Sequence, residues 1–299
     1  MSTPDAPDTV TVRAHAKLNL FLRVLARETS GYHGIETLFT LVELADELTV
    51  TRIPRGIELS VEGAETGPVE ENLVVRAARL VLTATGDRFG VRILLRKRIP
   101  VRAGLGGGSS DGAAALWAVN ALSGSAVPGH EILQFATRLG SDVAFFAARV
   151  PLALGWGHGE RLFQLPAPPS SPVLIAVPDF GVATADAYAL LDAGRAAEPA
   201  RGAVTLDREA FSSWGRIARL GGNDFESVMF SREPKLRELF EKVAETRPVL
   251  VRMSGSGSAI AAIYRSVADR EAAALSVGKP GRLSLFPTET RPQPPATPA

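Results

Sequence analysis

The sequence contains a glycine-rich segment, Pro100-Val-Arg-Ala-Gly-Leu-Gly-Gly-Gly-Ser-Ser-Asp-Gly-Ala-Ala-Ala-Leu116. Four of the five residues from Gly104 to Gly108 are glycine, which allows the backbone to turn with its N–H groups pointing inward. Ser109 or Ser110 is expected to cap a helix that runs through Leu122 to Gly124, where Ser123-Gly124 ends it. A glycine-rich turn before a helix N-terminus binds anions, because unpaired amides and the helix dipole both favour negative charge. The segment therefore predicts a phosphate-binding site.

Two better-known phosphate loops do not fit this segment. A Walker A loop ends in Gly-Lys-Ser/Thr, and no lysine follows Gly108. The dinucleotide fingerprint requires a glycine where Ser109 stands and an acidic residue farther along, which is not evident. A flexible linker is the structural alternative. The segment, however, follows a strand-like run from Val91 to Leu95 and continues into an alanine-rich helix, and this context favours phosphate binding.

The composition is that of a globular protein, with 45% hydrophobic and 22% charged residues. A length of 299 residues suits two domains better than one. The net charge of +1 predicts no general attraction to nucleic acid or to an anionic membrane. Without cysteine there is no disulfide or cysteine nucleophile, and the four histidines lack metal-ligand spacing. No signal segment or membrane-spanning run is found, so we expect a cytoplasmic protein.

An N-terminal strand carries two polar residues on one face. Between Ala14 and Val24 the residues alternate in a way that is typical of a β-strand, which places Lys17 and Asn19 opposite Leu18. A half-exposed strand with its lysine in water is the structural alternative, and the strand alone does not decide between the two.

Three other residues could serve either structure or function. Tyr32 and His33 adjoin in a loop from Arg27 to Gly34, where they could stack on and hydrogen-bond a base or could fill a turn. Asp142 begins an apolar segment, Ser141 to Phe146, and aspartate commonly caps helices. The functional alternative for Asp142 is a carboxylate in the first helical turn, where the dipole favours its charge.

The remaining strands and helices fall into two groups. In the first group we expect strands at 38–44 and 47–51 joined by a turn at Ala45-Asp46, and helices at 72–85 and 128–139. Prolines from Pro166 to Pro172 mark a boundary. After it, strands and helices follow a βαββαβ-like pattern that ends with a strand at 282–286. We therefore expect domains at 1–165 and 166–287 and a proline-rich, disordered tail at 288–299.

Three sequence blocks together resemble the GHMP kinase superfamily: Ala16 to Leu22, the glycine-rich segment from Pro100 to Ala114, and Met253 to Gly257. Shorter motifs narrow the resemblance to the branch that phosphorylates the 2-hydroxyl of 4-diphosphocytidyl-2-C-methyl-D-erythritol in non-mevalonate isoprenoid biosynthesis. These motifs are Gly31-Tyr32-His33, Leu139-Gly140-Ser141-Asp142-Val143, Phe145-Phe146 and Asn223-Asp224. The resemblance extends from about Arg13 to Tyr264.

The resemblance implies a two-domain α+β fold, with an N-terminal ATP-binding domain, a ferredoxin-like C-terminal α/β sandwich, and the substrate in the cleft between them. It implies ATP and Mg²⁺ as cofactors, although the sequence does not identify the Mg²⁺ ligands. The implied partner is a small-molecule substrate, a cytidine diphosphate-linked methylerythritol, and the chain is implied to be a monomer or homodimer that binds neither nucleic acid nor membrane.

The resemblance also implies residue roles. Lys17 and Asp142 are the implied catalytic pair beside the attacking hydroxyl. The substrate is implied to contact Asn19 and His33, the latter at the cytosine edge, with Tyr32 and Tyr188 as stacking residues. The ATP phosphates are implied to contact Pro100, Ala103, Gly104, Leu105, Gly106, Gly107, Gly108, Ser109 and Ser110.

Two positions depart from the family's pattern, and other activities share parts of it. Ala144 stands where proline is usual, which leaves the turn after Asp142 less restricted in φ. Arg102 stands where a small residue is usual; it could add charge near the phosphates, and we expect it to point to solvent. The alternatives are a homoserine or mevalonate type of GHMP kinase, a diphosphomevalonate decarboxylase, and a nucleotide-binding sensor without catalysis. The Gly31-Tyr32-His33 motif disfavours the other kinases, and the catalytic pair disfavours the sensor.

Overall fold

The structure is a computed structural model that describes residues 7–29, 31–181, 184–194, 206–278 and 283–295. Its first sheet has the strand order β3-β4-β2-β5-β6, with β1 also paired to β2. These strands are β1 Thr9–Arg27, β2 His33–Ile53, β3 Ile57–Glu62, β4 Gly90–Arg96, β5 Leu152–Gly157 and β6 Arg161–Gln164. Strand β2 is long enough to pair with β1 along one edge and with both β4 and β5 along the other.

Helices pack against this first sheet. They are α1 Leu73–Ala84, α2 Gly107–Leu122, α3 Gly129–Leu139 and α4 Ser141–Ala148. Helix α2 is buried at eleven of its sixteen positions, because its alanines and glycine allow close approach to the sheet and to the neighbouring helices. This burial fixes the N-terminus of α2, where the glycine-rich segment ends.

The second sheet has the order β10-β7-β9-β8, with every neighbouring pair antiparallel. Its strands are β7 Pro172–Pro178, β8 Leu250–Met253, β9 Ile260–Ile263 and β10 Leu283–Glu289. The helices of this half are α5 Thr184–Gly194, α6 Trp214–Ile217, α7 Phe225–Arg232, α8 Pro234–Glu245 and α9 Val267–Val277. The order corresponds to the ferredoxin-like arrangement expected for this half, and the proline-rich segment lies between β6 and β7.

The two sheets share part of one hydrophobic core. Leu18 and Phe21 of β1 belong to the same buried cluster as Ile175 of β7 and Ile263 of β9. This shared core sets β1 between the two halves, and β1 carries Lys17 and Asn19. The cleft beside β1 is therefore framed by both sheets.

The predicted turn at Ala45-Asp46 is wrong, because β2 continues through both residues. Asp46 is fully buried, and one of its carboxylate oxygens accepts hydrogen bonds from the backbone N–H groups of Arg98 and Ile99. Its other carboxylate oxygen contacts the Lys97 ammonium group. Aspartate is common in turns, and the sequence alone does not show that Asp46 pairs with Lys97, which lies 51 residues away.

The predicted serine cap of α2 is also wrong. The N-cap residue is Gly106, whose φ of 70° lies in the left-handed region that favours glycine. Ser110 lies one turn inside the helix, and its hydroxyl donates a hydrogen bond of 2.7 Å to the carbonyl oxygen of His15. The serine hydroxyl thus ties α2 to β1.

The predicted disorder from Thr288 onward is wrong for residues 288–295. Strand β10 extends to Glu289, and Thr290 forms a bridge with Val42 of β2. The guanidinium group of Arg291 lies 2.6 Å from the carboxylate of Glu43. This C-terminal segment, 290–295, therefore contacts the first sheet, and residues 296–299 lie outside the described residues. Within the ranges that the structure describes, no helix has the length and apolar character that crossing a membrane requires.

Candidate active site

A cavity of about 1020 Å³ lies where the two halves meet. Its wall includes Lys17 of β1, the glycine-rich turn, Asp142 of α4, Tyr188 of α5 and Gly255 of the loop between β8 and β9. Small-molecule pockets commonly measure roughly 300–1,000 Å³, so this cavity is large for a ligand site.

Lys17 and Asp142 meet in the middle of the cavity wall. The Lys17 Nζ atom lies 3.6 Å from Asp142 Oδ2 and donates a hydrogen bond of 2.5 Å to Asn19 Oδ1. Asn19 Nδ2 in turn donates to Thr37 Oγ1 at 2.8 Å. The Lys17 side chain is 5% exposed and that of Asp142 is 36% exposed. The predicted pair and Asn19 are thus brought together, with the carboxylate open to a ligand.

Asp142 is positioned by the start of α4. The helix begins at Ser141 with Gly140 as its N-cap residue, so Asp142 does not serve as the cap. It lies in the first turn, where unpaired N–H groups and the helix dipole favour a negative charge. Ala144, where a proline is usual in the family's pattern, is buried inside α4.

The glycine-rich turn has a backbone that only glycine adopts easily. Gly104 has a φ of 79°, and a Cβ atom there would lie 2.0 Å from the carbonyl oxygen of Ser254. At Gly106, a Cβ atom would lie 2.9 Å from the Phe146 ring. The backbone N–H of Lys17 donates to the Leu105 carbonyl at 3.0 Å, which holds the turn against β1. The turn therefore leads into α2 with the helix's first amides free of intrahelical partners, the arrangement that binds phosphate.

A second small-residue turn, 254–258, supports the first one. The Ser254 hydroxyl donates to the Gly104 carbonyl at 2.9 Å, and the Ala259 N–H donates to the Ala103 carbonyl at 3.1 Å. Asn223 Nδ2 donates to the carbonyl oxygens of Met253, at 2.8 Å, and of Gly255, at 2.6 Å. The second half of the chain thus supports the phosphate end of the cavity through one backbone hydrogen bond and through the Ser254 and Asn223 side chains.

The roles of the Ser254 and Asn223 side chains were missed by reasoning from the sequence. The available signal was the small-residue run from Met253 to Gly257, which resembles the corresponding motif of the family. Its contact with Gly104 is visible only in the three-dimensional structure.

Aromatic and ionisable side chains form the opposite end of the cavity. His33, 8% exposed, stacks on Tyr188 with 5.0 Å between ring centroids and 22° between planes. Its Nε2 atom lies 2.7 Å from Asp192 Oδ1. Tyr32 is 66% exposed and lies 5.2 Å from the His158 ring. The structure thus brings His33 and Tyr188 together and places Tyr32 beside His158 on the same wall.

Lys97 and Asp111 line the cavity near the N-terminus of α2. Lys97 Nζ contacts Asp46 and lies 2.7 Å from Asp111 Oδ2, with both carboxylates buried. Burial raises the pKa of Asp111 to about 7, against the opposing effect of Lys97. Burial alone lowers the pKa of Lys97, but the two carboxylates outweigh it and raise that pKa. The alternation of β4, continued one residue past its end, places Lys97 on the inward side with Ile93 and Leu95, a signal that could have identified it.

The predicted phosphate residues divide into two sets. Ser110 is buried and is absent from the cavity wall, since its hydroxyl is bonded to His15. Arg102 is exposed, as expected, and also borders the cavity, with a φ of 57°. The other predicted phosphate residues line the cavity: Pro100, Ala103, Gly104, Leu105, Gly106, Gly107, Gly108 and Ser109.

Comparison with known proteins places this geometry in a family. Residues 72–149 match the family model described as GHMP kinases N terminal domain, and residues 203–283 match GHMP kinases C terminal. The 4-diphosphocytidyl-2-C-methyl-D-erythritol kinase of Solibacter usitatus (strain Ellin6076) is 38% identical over 260 residues, which cover 85% of this chain and 81% of that protein. The kinase of the same name from Pelotomaculum thermopropionicum (strain DSM 13744 / JCM 10971 / SI) is 39% identical over 266 residues, covering 88% and 91%.

The chain belongs to the 4-diphosphocytidyl-2-C-methyl-D-erythritol kinase branch of the GHMP kinases. A crystal structure of a 4-(cytidine 5'-diphospho)-2C-methyl-D-erythritol kinase superposes with a TM-score of 0.78 at 36% identity, covering 94% of this chain and 99% of that one. Homoserine kinase from Cytophaga hutchinsonii ATCC 33406 superposes with a TM-score of 0.73 at 18% identity, covering 99% of each chain, which shows the shared GHMP kinase fold alone.

The expected fold class is therefore confirmed. The chain has the mixed α and β content of GHMP kinases, with matches to both the N-terminal and the C-terminal family models.

Proposed function

We propose that this GHMP kinase transfers the γ-phosphoryl group of ATP to the 2-hydroxyl of 4-diphosphocytidyl-2-C-methyl-D-erythritol. The observation that carries the proposal is the placement of Lys17 and Asp142 between a phosphate-binding turn and a wall bearing His33 and Tyr188. The relatives that cover most of the chain carry this activity in their names. The expected cytoplasmic location and the oligomeric state stay predictions.

Asp142 is the general base in this proposal. Phosphoryl transfer depends mainly on positioning and charge neutralisation, and the carboxylate is exposed to the cavity where a hydroxyl can approach. Asp142 accepts the proton of the attacking hydroxyl as the oxygen bonds to the γ-phosphorus and the bond to the leaving ADP oxygen breaks. General-base catalysis typically contributes about 10²–10⁴-fold to a rate.

Lys17 orients the reacting groups. Its ammonium group is nearly buried and is held by Asn19, so it presents a fixed positive charge beside Asp142. A preorganised charge in a site that excludes water stabilises negative charge on the transferring group more strongly than a solvated lysine does. Asn19 acts through Lys17 in this arrangement and also lies on the wall that faces the acceptor.

The ATP phosphates lie along the turn from Ala103 to Ser109. The first amides of α2 and the helix dipole supply positive potential to them without adding a side chain. Asn72, Leu73 and Lys97 line the same cavity and are available to the adenosine end of ATP.

Mg²⁺ binds together with ATP in this proposal. Mg²⁺ sites commonly use one or two carboxylates with phosphate oxygens and water. The Ser109 hydroxyl lies on the cavity wall at the start of α2 and is an oxygen donor, so it fits an ion that is otherwise held by phosphate oxygens and water. When bound, the ion would neutralise phosphate charge, and Ser109 would hold it.

The test is a substrate panel with the purified chain. We expect ATP-dependent release of ADP together with a phosphorylated product when 4-diphosphocytidyl-2-C-methyl-D-erythritol is supplied, and background rates with homoserine or mevalonate. Mass spectrometry of the product separates phosphorylation from decarboxylation. Preference for another acceptor, or ADP release that does not depend on any acceptor, would contradict the proposal.

A further inference from the structure

Helix α5 presents two side chains to His33. Tyr188 and Asp192 are four residues apart, so they lie on the same face of the helix. Tyr188 stacks on the face of the imidazole, while Asp192 bonds to its edge. The stacking therefore fixes the plane of the imidazole ring, and the hydrogen bond fixes the orientation of the ring within that plane.

We propose that Asp192 is the positioning residue that orients His33 and fixes its tautomer for recognition of an amino-pyrimidine base on the acceptor. This inference rests on the proposed function only for the identity of the acceptor. Asp192 acts through His33 and needs no contact of its own with the reacting atoms.

The chemistry of the contact determines the tautomer. An ionised carboxylate can only accept hydrogen bonds, so the 2.7 Å contact requires that His33 Nε2 carries a proton and donates it to Asp192. In the neutral imidazole the other nitrogen, Nδ1, is then an acceptor. A second polar contact to Asp192 comes from Arg27, whose Nη1 atom lies 4.0 Å from Oδ2. Because Arg27 is 64% exposed, solvent weakens this contact, and the His33 bond dominates.

An acceptor at His33 Nδ1 distinguishes bases by their exocyclic group. The amine of cytosine can donate a hydrogen bond to it, whereas the carbonyl oxygen at the same position of uracil repels it. His33 is 8% exposed, so a mismatched base leaves a nearly buried polar atom without a partner, which is the condition that gives strong discrimination. Loss of the Asp192 carboxylate frees the imidazole to adopt the other tautomer and removes the distinction.

The experiment compares Asp192→Asn with Asp186→Asn. Asp186 is on the same helix, is exposed, and pairs only loosely with Arg232 at 4.0 Å, so it controls for the same chemical change on α5. Binding of CDP and of UDP is measured by calorimetry with the ATP site filled by a non-hydrolysable ATP analogue. We expect CDP to bind the wild-type protein more tightly than UDP, and the preference to fall by about 10- to 100-fold in Asp192→Asn and to persist in Asp186→Asn.

Two further readouts separate positioning from general destabilisation. ¹⁵N chemical shifts of His33 report the tautomer directly, and we expect Nε2 to be protonated in the wild type and the tautomers to be mixed in Asp192→Asn. In turnover assays Asp192→Asn is expected to raise the KM of the cytidine-linked acceptor while leaving kcat and the KM of ATP unchanged. Asp192→Glu keeps an acceptor carboxylate and is expected to retain the CDP preference in part, which covers the case of an unfolded Asn variant.

The results distinguish this inference from the proposed function. If the wild type fails to phosphorylate the cytidine-linked acceptor but Asp192→Asn still abolishes the CDP preference, the proposed function is wrong and the inference stands. If Asp192→Asn retains the full CDP preference, or raises the KM of ATP as much as that of the acceptor, the inference is overturned whatever the wild-type activity.

Discussion

The two ends of the cavity are built from different parts of the chain. At the phosphate end the wall is mostly backbone, and Gly104 approaches the Ser254 carbonyl so closely that no side chain fits between them. At the base end the wall is made of side chains, in which His33 is held between Tyr188 and Asp192. The phosphate end therefore requires that its glycines carry no side-chain atoms, whereas the base end requires the side chains of His33, Tyr188 and Asp192. Added atoms should damage the first, and removed atoms should damage the second.

The largest effect is expected where the two ends meet. Asp142→Asn removes the proton acceptor with little change in size, so we expect kcat to fall by about 10²–10⁴-fold. The KM of ATP and the KM of the acceptor should both change little, because neither end of the cavity is altered. Steady-state kinetics with each substrate varied in turn checks this, and a near-normal kcat would show that another group takes the proton.

A single added methyl group tests the phosphate end. Gly104→Ala forces a Cβ atom against the Ser254 carbonyl at a residue whose φ is 79°. We expect the free energy of unfolding to fall by about 3 kcal/mol and the KM of ATP to rise, because the two turns must separate.

Gly56→Ala is the matched control for this substitution. Gly56 has a φ of 84°, but among the described residues nothing lies within 4 Å of the position that its Cβ atom would take. The substitution therefore imposes the backbone strain without the clash, and we expect it to cost about 1 kcal/mol and to leave the KM of ATP unchanged. Chemical denaturation measures both variants, and equal losses of stability would show that contact with Ser254 does not matter.

Removal of a side chain tests the base end. His33→Ala is expected to raise the KM of the cytidine-linked acceptor by about 10- to 100-fold, since a hydrogen bond to a nearly buried group is lost. The KM of ATP should stay the same, because His33 lies at the opposite end of the cavity from the glycine-rich turn. Parallel increases in both KM values would remove the distinction between the two ends.

The last prediction concerns the pH dependence of stability that His15 causes. The backbone carbonyl of His15 accepts a hydrogen bond from Ser110 in the first turns of α2. Burial, together with nearby Arg291 and against the effect of Glu43, lowers the pKa of His15 to about 4. The unfolded chain binds a proton at His15 near pH 6.5, whereas the folded chain does so only near pH 4, so the unfolded state binds more protons between these values. The free energy of unfolding should therefore fall as the pH is lowered through this range, by at most about 1.4 kcal/mol per pH unit.

His15→Gln checks this pH dependence, because glutamine does not titrate. Melting curves at pH 7 and pH 5 should show a smaller acid-induced loss of stability for the variant than for the wild type. An identical loss in both proteins would assign the acid sensitivity to other groups.

The sequence was sufficient where function requires a local pattern. Lys17 and Asn19 share a strand face by alternation, and the glycine-rich turn indicates a backbone that side chains would block. The fold class followed from the resemblance and from the order of strands and helices. The first two inferences needed only residues that are neighbours in the chain, whereas the fold class needed motifs spread from Ala16 to Gly257.

Errors and omissions arose where the partner is distant. Asp46 resembles a turn residue until Lys97, which follows β4, is known to bond to it. Ser110 resembles a cap until the His15 carbonyl is found beside it. Asp192 attracts no attention in the sequence, because its relation to His33 exists only after α5 packs across the cleft.

The C-terminal segment has a consequence for how the molecule is assembled. Arg291 bonds to Glu43, which lies 248 residues earlier in the sequence. During synthesis β2 leaves the ribosome long before Arg291 is made, and domains generally fold in that order. Both sheets can therefore form before the contact between Thr290 and Val42 closes. The contact of Thr290 and Arg291 with β2, which joins the C-terminal segment to the first sheet, is then a late event in folding.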